Sequence, residues 1–209
     1  EKRKENLLSK LMLSEKTHII LLPARITSWK GHMVALDAAN IISQKNPSLN
    51  FVILFVGDED GKKSFSKKLE QKVKKLKLTN RIIFSGNLSD MPAVYSIADI
   101  VLSTSIEPEA FGRISAEASS MTKPIISSNH GGSREIIENG MTGWLIEPSN
   151  SEMLADKIQE VLGLPQEKKD TIGMNARRRV IEKFCLNEML KKTMSVYEYL
   201  LSTKENFNY

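Results

Sequence analysis

Short apolar runs alternate with stretches of helical periodicity along almost the whole chain. Runs that are apolar throughout, rather than in alternate positions, are typical of strands covered on both faces. Six runs of strand length occur, at residues 18–22, 51–56, 81–85, 100–102, 123–128 and 144–146. The pattern predicts an α/β fold, a Rossmann-like, doubly wound, six-stranded parallel sheet with helices on both faces.

Apolar residues spaced three and four apart predict helices between these strands. The helices are expected at residues 5–16, 32–44, 62–76, 91–97, 134–138, 151–162, 165–183 and 186–201, with a further one from Arg113. Ser89 or Asp90, Ser133 and Ser151 are expected N-caps. The inward-facing positions are expected to include Val34, Ile41, Met153, Met189, Met194, Tyr197 and Tyr199.

Length and composition indicate one domain with its own core. The 209 residues are 41% hydrophobic, which suffices for a single core with additional helices. We expect a leading linker helix at 1–16, a core at 17–163 and carboxyl-terminal helices at 164–209. No run of eighteen apolar residues occurs, and the lone Cys185 fits a reducing cytoplasm. One cysteine and three scattered histidines give no plausible nitrogen–sulfur metal site.

The formal net charge is +5 and lysines dominate it. A basic surface favours anionic partners such as nucleic acid, anionic lipid or phosphorylated substrates. Because the clusters at 67–68, 72–77 and 177–179 are interleaved with acids and apolar residues, solvated helix faces are the simpler interpretation.

The loop after the fourth predicted strand combines two acids with a glycine. Glu109 lies in the loop, Gly112 leaves the backbone bare before a helix, and Glu117 follows on that helix. Unpaired N–H groups at a helix start favour an anion, whereas ionised carboxylates accept hydrogen bonds from hydroxyls. This stretch predicts a site for a ligand that carries both phosphate and sugar hydroxyls.

The loop after the first strand carries Arg25 and Lys30, which repel each other unless an anion lies between them. A diphosphate would satisfy both, because arginine forks two hydrogen bonds and lysine acts as a point charge. An ordinary basic loop is the plainer interpretation. Right-handed crossovers would bring this loop and the exit loops at Gly57, Asn87, Glu109 and Gly132 to one rim of the sheet.

Three motifs resemble the retaining family-4 glycosyltransferases of GT-B fold. Glu109-x7-Glu117 encloses Phe111-Gly112, Arg25-x4-Lys30-Gly31 follows the first strand, and the glycine pattern runs from Gly131 to Gly143. Relatives usually carry Gly-x-Gly where this chain has Gly57-Asp58-Glu59. The likeness covers about residues 5–200 and implies the carboxyl-terminal, donor-binding half of such an enzyme. The amino-terminal acceptor domain is expected to be absent. The last helices cross back to that domain in this fold, so contact with it is the alternative to core packing for Met189, Met194, Tyr197 and Tyr199.

The resemblance implies a role for each loop. Arg25 and Lys30 would hold the donor diphosphate, Glu109 would bind the sugar with the backbone at Phe111 and Gly112, and Glu117 would hold the ribose hydroxyls. The helix start at Arg113 and Ile114 would add N–H groups. The remaining donor contacts would come from Gly57, Gly132 and the base-binding positions Asn87 and Leu88. His130 would be a general acid or base only if it had a partner, and relatives usually have an aliphatic residue there.

The implied activity is transfer of a hexosyl unit from a UDP- or GDP-linked donor, with retention and without a metal or other cofactor. Family members often build envelope polysaccharide or glycolipid at the cytoplasmic membrane face. We therefore expect a bacterial cytoplasmic enzyme, peripheral at the inner membrane face and without a nucleic-acid partner. The chain does not begin with Met and is expected to be an inactive fragment of a longer protein. The alternatives are a nucleotide-sugar epimerase of the same architecture, or a non-catalytic domain that binds nucleotide or nucleic acid.

Overall fold

The computed structural model describes residues 2–59 and 63–204. The predicted helix start at Lys62 and the last five residues lie outside these ranges. The strands are β1 (His18–Leu22), β2 (Phe51–Phe55), β3 (Ile82–Phe84), β4 (Ile100–Ser103), β5 (Ile125–Ser128) and β6 (Trp144–Ile146). The six strands predicted from the apolar runs are confirmed.

Helices separate the strands and extend the chain at both ends. They are α1 (Lys2–Lys10), α2 (His32–Lys45), α3 (Lys63–Lys75), α4 (Met91–Ile97), α5 (Arg113–Ser120), α6 (Ser133–Ile136), α7 (Ser151–Leu162), α8 (Gln166–Lys183) and α9 (Leu186–Lys204). Within the described ranges, none of these helices has the length and apolar character needed to cross a bilayer.

The six strands form one parallel sheet in the order β3-β2-β1-β4-β5-β6. The order reverses between β1 and β4, which pair at Ile20 with Ile100 and at Leu21 with Val101. Because right-handed crossovers leave β1 and β4 in opposite directions, α2 and α5 cover opposite faces of the sheet. The predicted α/β fold is confirmed, and its switch point lies where a ligand cleft is expected in such sheets.

Three helix details differ from the prediction. The first helix ends at Lys10 instead of residue 16, because Met12 adopts a left-handed φ of 54°. The amides of Leu13 and Met12 then bond back to the carbonyls of Leu8 and Ser9, which closes the helix end. Asn150, and not Ser151, caps α7 by accepting a hydrogen bond from the Met153 amide.

Ser133 is the first residue of α6, and Gly132 occupies the N-cap. The Ser133 hydroxyl instead joins a buried cluster with Ser115 and Ser127. The prediction that Asp90 or Ser89 caps α4 is confirmed for Asp90, whose side chain accepts a hydrogen bond from the Ala93 amide.

Several residues expected to face inward are only half-buried or are exposed. Val34 and Ile41 are only half-buried, while Ala35, Leu36 and Ala39 occupy the inward face of α2. Met153 is also exposed, as are the four α9 residues Met189, Met194, Tyr197 and Tyr199. The expectation that these α9 side chains pack in this domain's core is wrong.

His32 is fully buried at the start of α2, with its ring edge-on to Phe55 at 4.9 Å between centroids. Neither ring nitrogen makes a hydrogen bond of normal geometry within the described residues. Burial lowers the pKa of His32 from 6.5 to about 4, against a weaker opposing pull from the carbonyls of Ala24 and Thr27. The ring is therefore neutral at pH 7.

This burial predicts a loss of stability in mild acid. The unfolded chain protonates His32 near pH 6.5 and the folded chain only near pH 4. The free energy of unfolding should therefore fall between these values, by up to about 1.4 kcal/mol per pH unit, and His32 should contribute no slope above pH 6.5. Urea unfolding from pH 7.5 to 4.5 measures the slope. It should flatten in His32→Leu and persist in His18→Gln at the surface; an unchanged slope in His32→Leu would contradict the assignment.

Candidate functional site

A cavity of about 480 Å³ lies at the carboxyl edge of the sheet, where the strand order reverses. Its walls are the loop after β1 and the loop between β4 and α5. The lining residues are Pro23, Ala24, Arg25, Trp29, Lys30, Pro108, Glu109, Ala110, Phe111, Gly112, Arg113, Ile114 and Glu117. Eight of the twelve predicted site residues line this one cavity: Arg25, Lys30, Glu109, Phe111, Gly112, Arg113, Ile114 and Glu117.

Close backbone contact holds the two walls together. The Ile106 amide donates a hydrogen bond of 2.7 Å to the carbonyl of Trp29. Gly31 adopts a left-handed φ of 81°, and a Cβ there would lie 1.8 Å from the carbonyl oxygen of Thr104. Only glycine allows this approach, so the backbone itself fixes the distance between the walls at the base of the cavity.

Lys30 and Glu109 form an ion pair across the cavity, with 2.8 Å between Nζ and Oε1. Their side chains are only 12% and 14% exposed. The Ser105 hydroxyl donates to the same carboxylate oxygen, and the ammonium also lies 4.1 Å from the centre of the Trp29 ring. Glu109 therefore supplies an anion beside Lys30, whereas the sequence suggested only an external anion for this cation.

Arg25 is exposed on the same wall. Trp29 belongs to the same loop. In the structure it lines the cavity and contacts the Lys30 ammonium, so it contributes to the surface that a ligand would meet.

The start of α5 is open toward the cavity. Gly112 occupies the N-cap with a left-handed φ of 85° and makes no side-chain cap hydrogen bond. The first amides of a helix have no intrahelical acceptor, and they carry the positive end of the helix dipole. The amides from Arg113 onward can therefore bind an anion that lies between α5 and the Arg25–Lys30 loop.

Glu117 is fixed from a neighbouring helix. The buried Tyr95 of α4 donates a 2.7 Å hydrogen bond to Glu117 Oε2, and Arg113 lies 3.4 Å from Oε1. Burial, together with the negative charge and hydrogen bond of Glu117, raises the pKa of Tyr95 above its ordinary value. Tyr95 is therefore a permanent donor that orients the Glu117 carboxylate.

Tyr95 and Ser105 are not recognisable as site residues from the sequence. Tyr95 lies at helical spacing among apolar residues, a pattern that is typical of the core. Ser105 belongs to the polar loop between β4 and α5, but its sequence position does not reveal that its hydroxyl contacts Glu109.

The other four predicted site residues lie outside the cavity lining. Gly57 lies against it, because a Cβ there would come within 2.4 Å of the Ala24 carbonyl oxygen. The backbone N–H of Asn87 donates a hydrogen bond of 3.1 Å to Asp58 Oδ1. The Leu88 side chain is half-buried and packs against the core. Their roles at the base and the phosphates stay predictions.

Gly132 supports the cavity wall from behind. Its amide donates to the Glu109 carbonyl at 2.8 Å, and a Cβ on Gly132 would lie 2.2 Å from the Phe111 carbonyl oxygen. Gly131 makes an equally close approach to the Glu109 backbone. The two glycines let the loop after β5 directly contact the loop between β4 and α5 (residues 104–112), which we call the acidic loop. Within residues 2–59 and 63–204, no group of three His, Cys, Asp or Glu side chains could hold a metal ion.

The family model described as "Glycosyl transferases group 1" matches residues 3–179. Among curated proteins, the chain is 26% identical over 200 residues to the Staphylococcus aureus capsular polysaccharide biosynthesis glycosyltransferase CapM. This match covers 92% of the chain and 51% of CapM.

Solved structures of glycosyltransferases are also similar to this chain. A glycosyltransferase from Rickettsia africae ESF-5 is 39% identical with a TM-score of 0.89, covering 96% of this chain and 52% of that one. Anabaena Alr3699/HepE in complex with UDP-glucose is 29% identical with a TM-score of 0.83, covering 96% and 53%. The chain spans about half the length of these proteins and of CapM.

One further solved structure indicates that this chain matches the carboxyl-terminal half of such proteins. The carboxyl-terminal domain of a glycosyl transferase group 1 family protein from Francisella tularensis (LpcC) is 29% identical, with a TM-score of 0.72. The match covers 81% of this chain and 87% of that one.

The burial of the Lys30–Glu109 pair predicts a strong energetic coupling. Removing one partner leaves the other charged and poorly solvated. Each single variant should therefore lose stability through this unpaired charge as well as through the loss of the ion pair itself. A double-mutant cycle with Lys30→Met and Glu109→Gln should give a coupling of about 1–3 kcal/mol in urea unfolding.

The matched control is Lys45–Asp156, an ion pair of the same 2.8 Å length whose side chains are 53% and 63% exposed. Solvent screening should make its coupling much smaller. Equal coupling in the two cycles would show that the Lys30–Glu109 pair is not held in the buried geometry described.

Proposed function

The chain belongs to the group 1 glycosyl transferases, and on that basis we propose that it forms the donor-binding half of an enzyme that transfers a hexosyl unit from a nucleotide diphosphate sugar with retention. The observation that carries the proposal is the convergence of Arg25, Lys30, the start of α5 and Glu117 on one cavity. Cations and helix amides suit a diphosphate, and ionised carboxylates suit hydroxyls.

Loss of the diphosphate is the step that this cavity would accelerate. Negative charge develops on the leaving phosphate oxygens, and fixed positive groups stabilise charge that appears in the transition state. Arg25, Lys30 and the α5 amides supply this positive charge from protein groups, so the proposed step requires no metal ion. How the configuration is retained does not follow from these contacts.

Glu109 and Lys30 would act together. An ammonium has three N–H donors, and the bond to Glu109 Oε1 uses one of them. The others can bind a phosphate oxygen while the carboxylate accepts from a sugar hydroxyl. The ion pair would therefore place the diphosphate and the sugar on adjacent atoms of the cavity wall. Glu117, held by Tyr95, would accept from the ribose hydroxyls.

A uridine diphosphate donor is the first choice to test, with a guanosine diphosphate donor second. HepE, whose structure contains UDP-glucose, shares the fold at 29% identity. CapM is named for capsular polysaccharide biosynthesis, which supports an envelope glycan as the product. The acceptor site would lie in the half of the enzyme that this chain does not span. No finding favours the epimerase or nucleic-acid-binding alternatives.

We further propose peripheral attachment to an anionic membrane through α3. Lys67, Lys68, Lys74 and Lys75 are all exposed, and helical geometry puts them within an arc of about 120° opposite the buried side of the helix. That arc contains no acidic residue, since Glu70 lies beyond its edge. Four lysines on one face match the charge of anionic lipid headgroups.

The diphosphate assignment predicts a selective loss of nucleotide binding. Residues 1–209 should bind UDP or GDP weakly and transfer little sugar, because such clefts close between two domains. Arg25→Ala with Lys30→Ala should weaken nucleotide binding by at least about tenfold, as expected for two lost charge-assisted hydrogen bonds. Isothermal titration with UDP, GDP, ADP and UDP-glucose measures this.

Lys67→Ala with Lys68→Ala is the control, since it removes the same charge away from the cavity. Equal nucleotide affinities in the parent and the Arg25/Lys30 variant would remove both residues from the proposed diphosphate site. Robust sugar transfer by residues 1–209 alone would contradict the expected dependence on a second domain.

The α3 assignment predicts salt-sensitive vesicle binding. Residues 1–209 should co-sediment with vesicles containing about one-third phosphatidylglycerol and not with neutral vesicles, because each lysine near the surface contributes about 1 kcal/mol. Replacing Lys67, Lys68, Lys74 and Lys75 by Gln should abolish binding. The matched variant with Gln at the exposed Lys168, Lys183, Lys191 and Lys192 should retain it. Equal losses of vesicle binding in the two variants would contradict the assignment, because they would show that binding depends on net charge and not on the position of the lysines.

A further inference from the structure

His130 lies in the loop after β5 and reaches across to the acidic loop. Its Nε2 atom is 2.9 Å from the carbonyl oxygen of Ser105. A carbonyl oxygen only accepts, so Nε2 carries the proton and donates it. The other ring nitrogen, Nδ1, is buried and makes no hydrogen bond within the described residues. Neither nitrogen is therefore available to exchange a proton with a ligand.

The residue that His130 holds is itself bonded to Glu109. The Ser105 hydroxyl donates to Glu109 Oε1, the same oxygen that pairs with Lys30 Nζ at 2.8 Å. A continuous chain of polar contacts thus runs from His130 through the Ser105 backbone and side chain to the ion pair.

The loop after β5 holds the acidic loop at two separate places. Gly132 bonds to the Glu109 carbonyl, which fixes the backbone of the acid. His130 bonds to the Ser105 carbonyl, which fixes the residue whose hydroxyl orients the carboxylate. Without His130, the backbone anchor at Glu109 would remain, but the direction of its carboxylate would be less restricted.

We propose that His130 is a positioning residue that acts through Ser105 to orient the Glu109 carboxylate toward the sugar of the donor. The proposal rests on the donor-binding function proposed above, and it replaces the acid–base role considered from the sequence. We therefore expect His130 to affect the affinity for a nucleotide sugar and not the affinity for the nucleotide alone.

The first test needs no ligand. The Lys30–Glu109 double-mutant cycle is repeated in His130→Leu and in His130→Gln, whose side-chain amide can still donate to the Ser105 carbonyl. The coupling between Lys30 and Glu109 should fall by at least half in the Leu background and persist in the Gln background. A merely structural role for His130 would lower the stability of all four members of the cycle and leave the coupling unchanged, which would overturn the proposal.

The second test measures the ratio of dissociation constants for UDP and UDP-glucose, with GDP and GDP-mannose in parallel. His130→Leu should reduce the preference for the nucleotide sugar by at least fivefold and leave UDP or GDP affinity within twofold, and His130→Gln should resemble the parent. Ser105→Ala should reproduce the Leu effect, and it carries the test if His130→Leu does not fold.

The outcomes separate this inference from the proposed function. If the parent binds none of the four nucleotides, the donor-binding function fails, while the coupling measurement still decides the positioning role. If the parent binds them and His130→Leu keeps the parent's ratio, or loses the bare nucleotide equally, the positioning role is wrong.

Discussion

The buried ion pair between Lys30 and Glu109 is the interaction on which the rest of the site depends. It joins the two loops that leave β1 and β4 at the reversal of the sheet, and it does so at 12–14% exposure, where charges are poorly screened. Such a pair is tolerated only with further hydrogen bonds and good geometry. Ser105, Trp29 and the loop after β5 supply that support, so much of the surrounding structure serves to hold two opposite charges next to a cavity.

Glu117, the second acid of the cavity, is held by different contacts. It is half-exposed on α5, where the buried phenol of Tyr95 donates to one carboxylate oxygen and Arg113 lies 3.4 Å from the other. The phenol is a neutral donor, and the Arg113 side chain is 84% exposed, so solvent screens this ion pair more than it screens the Lys30–Glu109 pair. One wall of the cavity thus presents an acid paired with a buried ammonium, and the helix beside it presents an acid held by a neutral phenol and a solvent-exposed guanidinium. Both carboxylates can accept hydrogen bonds from the hydroxyl groups of a ligand.

Patterns local in sequence predicted the strands, the sheet class and most of the cavity lining, because continuous apolar runs and loop cations are visible without tertiary structure. Partners from distant segments were not predictable in the same way. Nothing around Ser105 or Tyr95 indicates which carboxylate each hydroxyl meets, and Ser133 resembles a cap although its hydroxyl lies in a buried cluster. The apolar residues of α9 illustrate a second limit. Helical periodicity shows that a face is apolar, but the same spacing occurs whether or not this domain covers it.

Gly31 has a consequence for how such a cleft can diverge. Because the backbone at Gly31 touches the backbone of Thr104 directly, main-chain contact limits how closely the two loops approach at the cavity floor. Substitutions higher on the walls, at positions such as Ala110 or Phe111, can reshape the opening while that floor keeps its width. Under the proposed function, a preference for one sugar over another could therefore change during evolution without disturbing the part of the cleft that would receive the phosphates.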